Sequence, residues 1–283
     1  MGFHQKPSTF VSHVRLKVEN LERSLAYYQE IIGFDILERT STTVELTADG
    51  KTSILSLEQP KGVKPKKPRT TGMYHFALLL PTKKDLADFV MHLAKNDVQV
   101  AAGDHLVSEA LYIKDPDGND IEIYVDRDPN VWKWSNGEVA MTTDPVNFQE
   151  LLTHQVPGES WQGLPKDTIM GHIHLYVAEL DKTEQFYVEG LGFEVVNRFG
   201  GQALFLSTAK YHHHIAVNTW NGVGAPRPEE NSAGMDYYRL IYNDEAAVKA
   251  TIANLEKIGA TITQENDRIM TSDPAGNRIQ LSY

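Results

Sequence analysis

Apolar and polar positions alternate from Asn119 to Val125. Ile121, Ile123 and Val125 fall on one face and Asp120, Glu122 and Tyr124 on the other, the period-2 pattern of a strand. Two carboxylates and a phenol on one face of an otherwise apolar strand predict a polar pocket beside it. A carboxylate held there is costly unless a cation or hydrogen bonds compensate it. A second strand-like run, Met73 to Leu80, is apolar around His75.

The same patterning repeats along the chain. His13, Val18, Leu21, Ser24, Tyr28, Gly33 and Phe34 return at a constant offset as His172, Val177, Leu180, Thr183, Tyr187, Gly192 and Phe193. Each block reads as a strand, a helix opened near Asn20 or Asp181, a Gly-Phe step and a new strand. Gly72-Met73 returns as Gly234-Met235, and the turn Asp115-Pro116-x-Gly118-Asn119 returns as Asp273-Pro274-x-Gly276-Asn277. Four βαβββ units are therefore predicted, near 8–59, 72–127, 169–220 and 234–283, with Pro-, Lys- or Gly-rich connectors between them. The expected division is an N-terminal domain at 8–127, a connector at 128–168 and a C-terminal domain at 169–283. One unit cannot bury both faces of a curved sheet; two facing units make a cup with helices outside. The fold class expected is α+β, with four modules pairing into two cups.

Composition narrows the chemistry. At 283 residues with 41% hydrophobic and 23% charged positions, the chain has the balance of a globular protein. A net charge of -11 disfavours nucleic acid as a partner. The absence of cysteine removes disulfides, thiolate metal sites and cysteine nucleophiles, while eleven histidines favour a nitrogen–oxygen metal site. No segment is apolar and long enough to span a bilayer, and the N-terminal stretch lacks a signal-peptide core, so a cytoplasmic location and no membrane partner are expected. Nothing argues against a homo-oligomer.

From Gly103 to Glu122 the chain reads Gly-x-His, a spacer, Leu111-Tyr112, Asp115-Pro116-x-Gly118 and finally Glu122. This run resembles the signature of type I extradiol ring-cleavage dioxygenases. The repeated His-x-x-x-x-Val…Gly-Phe units resemble the vicinal oxygen chelate superfamily over nearly the whole chain. That superfamily also holds glyoxalase I and the fosfomycin- and bleomycin-resistance proteins, and within it the chain looks like a two-domain catechol 2,3-dioxygenase. The resemblance implies a divalent metal, Fe(II) with Mn(II) as the alternative, and a small aromatic diol and O2 as partners.

It also implies metal ligands from the first strands of two modules and the last strand of one: His75, Glu122 and a third histidine. A lone histidine in an apolar strand such as His75 is more often a core residue, and its pairing with Glu122 favours the ligand reading. His172 and His13 occupy equivalent places, and the choice depends on whether the second module pairs with the third or with the first. The run His213-His214-Ile215-Ala216 matches the family's acid–base histidine, whereas the first module has Ser53 there, which favours His172 over the alternative His13. By the same resemblance Tyr112 and His213 are catalytic, and His105, His174 and His214 bind substrate. In the fourth module Tyr237, Met270 and Gln280 stand where the second has His75, Tyr112 and Glu122, so that module has lost the set.

Consecutive histidines can also form an exposed strand, in which only alternate members share a face. The four tryptophans, Trp132, Trp134, Trp161 and Trp220, are expected to serve packing. Two rival functions remain: a glyoxalase-like isomerase using Zn or Ni, and a metal-free binding protein on the same fold.

Overall fold

The computed structural model describes residues 2–283. The first module runs β1 (Phe10–Lys17), α1 (Leu21–Tyr27), β2 (Asp35–Arg39), β3 (Thr43–Thr47) and β4 (Ser53–Glu58). The second runs β5 (Gly72–Leu79), α2 (Lys83–Lys95), β6 (Ala101–Asp104), β7 (Ser108–Lys114) and β8 (Asp120–Asp126). The connector holds two short strands, β9 (Trp134–Ser135) and β10 (Glu138–Val139), and one turn of helix, α3 (Phe148–Leu151). The third module has β11 (Ile169–Tyr176), α4 (Asp181–Gln185), β12 (Glu194–Phe199), β13 (Ala203–Ser207) and β14 (Ile215–Asn218). The fourth has β15 (Gly234–Ile241), α5 (Glu245–Lys257), β16 (Ile262–Glu265), β17 (Arg268–Ser272) and β18 (Arg278–Ser282).

Two eight-stranded sheets result. One has the order β12-β13-β14-β11-β5-β8-β7-β6, the other β16-β17-β18-β15-β1-β4-β3-β2. The second module therefore pairs with the third and the first with the fourth, through antiparallel β5–β11 and β1–β15. Each half of the sequence gives one module to each sheet. Within a half the modules are tied by the repeated residues: Tyr28 Oη donates to Asp115, and Tyr187 Oη donates to Asp273. Both aspartates also accept from the backbone and side-chain amides of the asparagine four residues on, which fixes the two Asp-Pro-x-Gly turns.

The helices follow local rules. Asn20 and Thr82 cap α1 and α2 by accepting from the N–H three residues on, and α2 buries Leu86, Phe89 and Leu93, a helical stripe. The helix after β1 closes through a π turn at Gly33, where φ is 94° and the connector's Gly163 comes so close that a Cβ would stand 2.6 Å from its Cα. Leu164 N–H donates to the Gly33 carbonyl at that crossing, and only glycine fits it.

Candidate functional site

Register places the polar groups. On β5, Ala77 lies between His172 of β11 and Glu122 of β8, while His75 lies beside His174. Tyr112 of β7 pairs with Glu122. Alternation then sends His75, His172, His174, Tyr112 and Glu122 to the concave face. A β-bulge at Gly171 shifts the register just before His172; a Cβ there would stand 2.1 Å from the Tyr124 hydroxyl.

His75, Glu122 and His172 converge, all buried, with candidate ligand atoms within 4.8 Å of one another. His75 Nε2 lies 2.9 Å and His172 Nε2 3.2 Å from Glu122 Oε2. Adjacent ligands around an ion at ordinary metal–nitrogen distances stand about 3 Å apart, so the spacing suits a metal. Among the described residues neither nitrogen of His75 has a hydrogen-bond partner, and Nδ1 of His172 has none either. Buried nitrogens are rarely left so, and a cation held by the two Nε2 atoms and Glu122 would give His75 Nε2 its missing partner. Burial pushes the His172 imidazole down to about 4 against the upward pull of Glu122. Burial would raise the Glu122 carboxyl, yet the two imidazoles beside it hold it well below the usual carboxylate range. Neutral imidazoles and an ionised carboxylate are the forms that bind a divalent ion.

Above this set opens a cavity of about 470 Å³ whose walls include His105, Tyr112, His174, His213, Phe205 and Trp220. His105 Nδ1–H donates to the Thr142 carbonyl, leaving Nε2 to accept from Tyr112 Oη at 2.7 Å. Burial and the Glu122 charge raise the Tyr112 phenol well above its ordinary value, so it keeps its proton. Asn218 Nδ2 donates to His174 Nε2, which leaves Nδ1 as the donor of His174. The His213 ring lies 4.1 Å from that of His172, tilted by 51°, and burial together with the neighbouring imidazoles lowers it well below an ordinary histidine.

Several expectations change. His212, His213 and His214 do not form an exposed strand: they precede β14 and are all buried. His213 lines the cavity, but His214 is not part of its wall. Its Nε2–H donates to the Phe3 carbonyl of the N-terminal segment, and its Nδ1 accepts from Thr208 N–H at the end of β13, so both nitrogens are taken up within the protein. His13 lies in the other sheet, bonded to Ser56 and facing Tyr237, outside the convergent ligand set. Trp132 and Trp161 pack as expected, against Phe3 and Phe89, while Trp220 lines the cavity instead.

Two features were missed in the sequence. Met141, Thr142 and Thr143 of the connector form part of the wall. The strap carrying them is held at both sheet edges, by Asn197 Nδ2 donating to the Val139 carbonyl and by paired backbone bonds between Asp104 and Asp144. Asp126 continues the polar face of Glu122 and Tyr124 one step past the expected strand end, and accepts from His212 Nε2–H at 2.8 Å. No helix among the described residues is long and apolar enough to cross a membrane.

Among known proteins, the chain is 40% identical over 269 residues to a catechol-2,3-dioxygenase of Bacillus subtilis (strain 168), covering 94% of each chain. It is 30% identical over 119 residues to the metallothiol transferase FosB of Staphylococcus epidermidis, covering 41% of this chain and 81% of that one. Glyoxalase I from Zea mays superposes with a TM-score of 0.60 at 15% identity, covering 97% of this chain and 92% of that one, which speaks for the fold. Both halves match one family model, over residues 11–123 and 169–281, and the chain accordingly belongs to the Glyoxalase/Bleomycin resistance protein/Dioxygenase superfamily.

Proposed function

We propose that the chain is an extradiol dioxygenase that opens a small aromatic diol with O2, using Fe(II) held by His75, Glu122 and His172. The observation that carries this reading is the buried two-histidine, one-carboxylate set opening on a cavity with Tyr112 and His213 in its walls. Such a set leaves coordination positions free and suits non-haem Fe(II). The similarity to the Bacillus subtilis catechol-2,3-dioxygenase over nearly the full length supports it. When bound, the ion supplies a Lewis-acidic, redox-active centre for the diol and O2.

The chain's own residues do the rest. A divalent ion with one carboxylate and two neutral imidazoles leaves one positive charge, which a diol entering as a monoanion neutralises. Phe205, Trp220 and Tyr74 offer aromatic surface for the ring. His213 takes the diol proton as a general base and returns it later. The Tyr112 phenol, backed by His105, orients a substrate oxygen. The strap bearing Met141 to Thr143 covers part of the cavity and limits its water.

The test loads the purified protein with Fe(II) without air, adds O2 and follows unsubstituted, alkyl- and halo-catechols by absorbance. A yellow ring-opened semialdehyde is expected. Inactivity on the whole panel with iron bound moves the assignment to a Zn- or Ni-type isomerase, and failure to retain any metal moves it to a binding protein.

A further inference from the structure

We infer that Asp126 and His212 are positioning residues that fix the tautomer of His213, so that its Nε2 faces the cavity as an unprotonated base. This rests on the proposed role of His213. The three side chains form one hydrogen-bonded line: Asp126 Oδ1 to His212 Nε2 at 2.8 Å, then His212 Nδ1 to His213 Nδ1 at 2.8 Å.

Counting hydrogens gives this line a direction. An ionised carboxylate only accepts, and a neutral imidazole carries one N–H and one lone pair. Asp126 therefore requires N–H at His212 Nε2, which leaves His212 Nδ1 as an acceptor. A short contact between two ring nitrogens holds a single hydrogen, and it must come from His213 Nδ1. The remaining lone pair of His213 sits on Nε2, the nitrogen outside this line, on a ring that lines the cavity.

The surroundings hold that direction. Asp126 keeps 19% of its side chain exposed, whereas His212 has none exposed, so water supports the charge of the carboxylate. Tyr211 Oη donates to the same Oδ1, and Tyr124 Oη lies 2.7 Å behind it. This second donor also needs an accepting Asp126. The His212 ring is clamped between Tyr211 at 4.0 Å and Trp132 at 5.2 Å, which opposes the ring flip that would put carbons where its nitrogens now stand. Orientation of a working imidazole through its second nitrogen is a common requirement for a base.

The tautomer can be read without metal or diol. In metal-free, histidine-15N-labelled protein, long-range proton–nitrogen correlations distinguish Nδ1–H from Nε2–H, with His213→Gln assigning the signal. Nδ1–H is expected for His213 in the wild type, and a mixed state in Asp126→Leu, which lacks any acceptor. Asp126→Asn keeps an accepting oxygen and should retain the wild-type tautomer. In iron-loaded enzyme, Asp126→Leu should lower kcat at least about tenfold, part of what a general base contributes, with iron content and KM within about twofold. Asp126→Asn should recover most of that loss. Nε2–H in the wild type overturns the inference, and so does an unchanged kcat, or a loss that follows iron content. An Nδ1–H signal in a protein that cleaves no diol supports the positioning and sinks the functional reading instead.

Discussion

The two sheets share one plan and differ at the centre of each cup. In the cup of the second and third modules, Ala77 separates His172 from Glu122. In the cup of the first and fourth, Arg239 holds the same register place, between His13 and Gln280. Its Nε donates to Gln280 Oε1 at 3.1 Å. Arg15, in the place of His174, pairs with Glu58. Tyr237 replaces His75 and lies under Arg268. A fixed guanidinium thus stands where the first cup has a methyl group. Both cups need positive charge among their buried polar groups, and the second supplies it from its own side chains. Gln280 and Arg239 stand together where the other cup has Glu122 and Ala77, so an amide in place of the carboxylate comes with a guanidinium beside it.

Converting one cup into the other should have the largest effect. Glu122→Gln, which copies Gln280, should abolish metal retention, beyond the roughly 10–100-fold that partners of ligands cost; metal analysis after dialysis checks it. Ala77→Arg should do the same while leaving Glu122 in place, and normal metal content would show that the arginine is not what closes the other cup. Next, His213→Ala should lower turnover about 10²–10⁴-fold with metal retained; joint loss of metal would make it a ligand.

Acid should act more strongly on the metal cup. Burial holds the His172 and His4 imidazoles at about 4, and lowers His174, His213 and His214 as well. Because their folded values lie below the ordinary 6.5, the unfolded chain binds more protons between about pH 6.5 and 4. Stability of the metal-free protein should fall as pH drops through that window, by a few kcal/mol in all as an order of magnitude. Denaturant titration at pH 7 and pH 5 measures it, and equal midpoints would contradict the assigned burial. The smallest effect belongs to His13→Ala: metal content and turnover unchanged, and about 1 kcal/mol lost with the Ser56 bond. A loss of metal in this variant would reverse the contrast between the cups.

The modules and the His75–Glu122 pair were legible because they depend on local alternation and on a repeated turn. Pairing was harder. The first and third modules share one repeat and the second and fourth another, so nothing in the repeats says that β5 meets β11 and not β1. The histidine run was legible only in part: in a regular strand His212 and His214 share one face and His213 the other, but β14 begins only at Ile215. Without a ladder to fix them, the three rings follow their hydrogen bonds to Asp126 and Phe3. Trp220 and the strap at Met141 to Thr143 reach the cavity from irregular backbone, where periodicity carries no information.

The nesting of the two sheets has a consequence for synthesis on the ribosome. All strands of the metal-type sheet lie between Gly72 and Asn218, in one contiguous stretch. The other sheet joins Phe10 to Ile241, a contact that cannot form until the fourth module emerges. Late, distant pairing of this kind is slow, and meanwhile β1 presents one open edge, a template for wrong partners. The ring-cleaving half of the molecule can therefore be complete while its oldest strands still wait for their mates, and a nascent chain stalled before Gly234 would carry a finished pocket beside an adhesive edge.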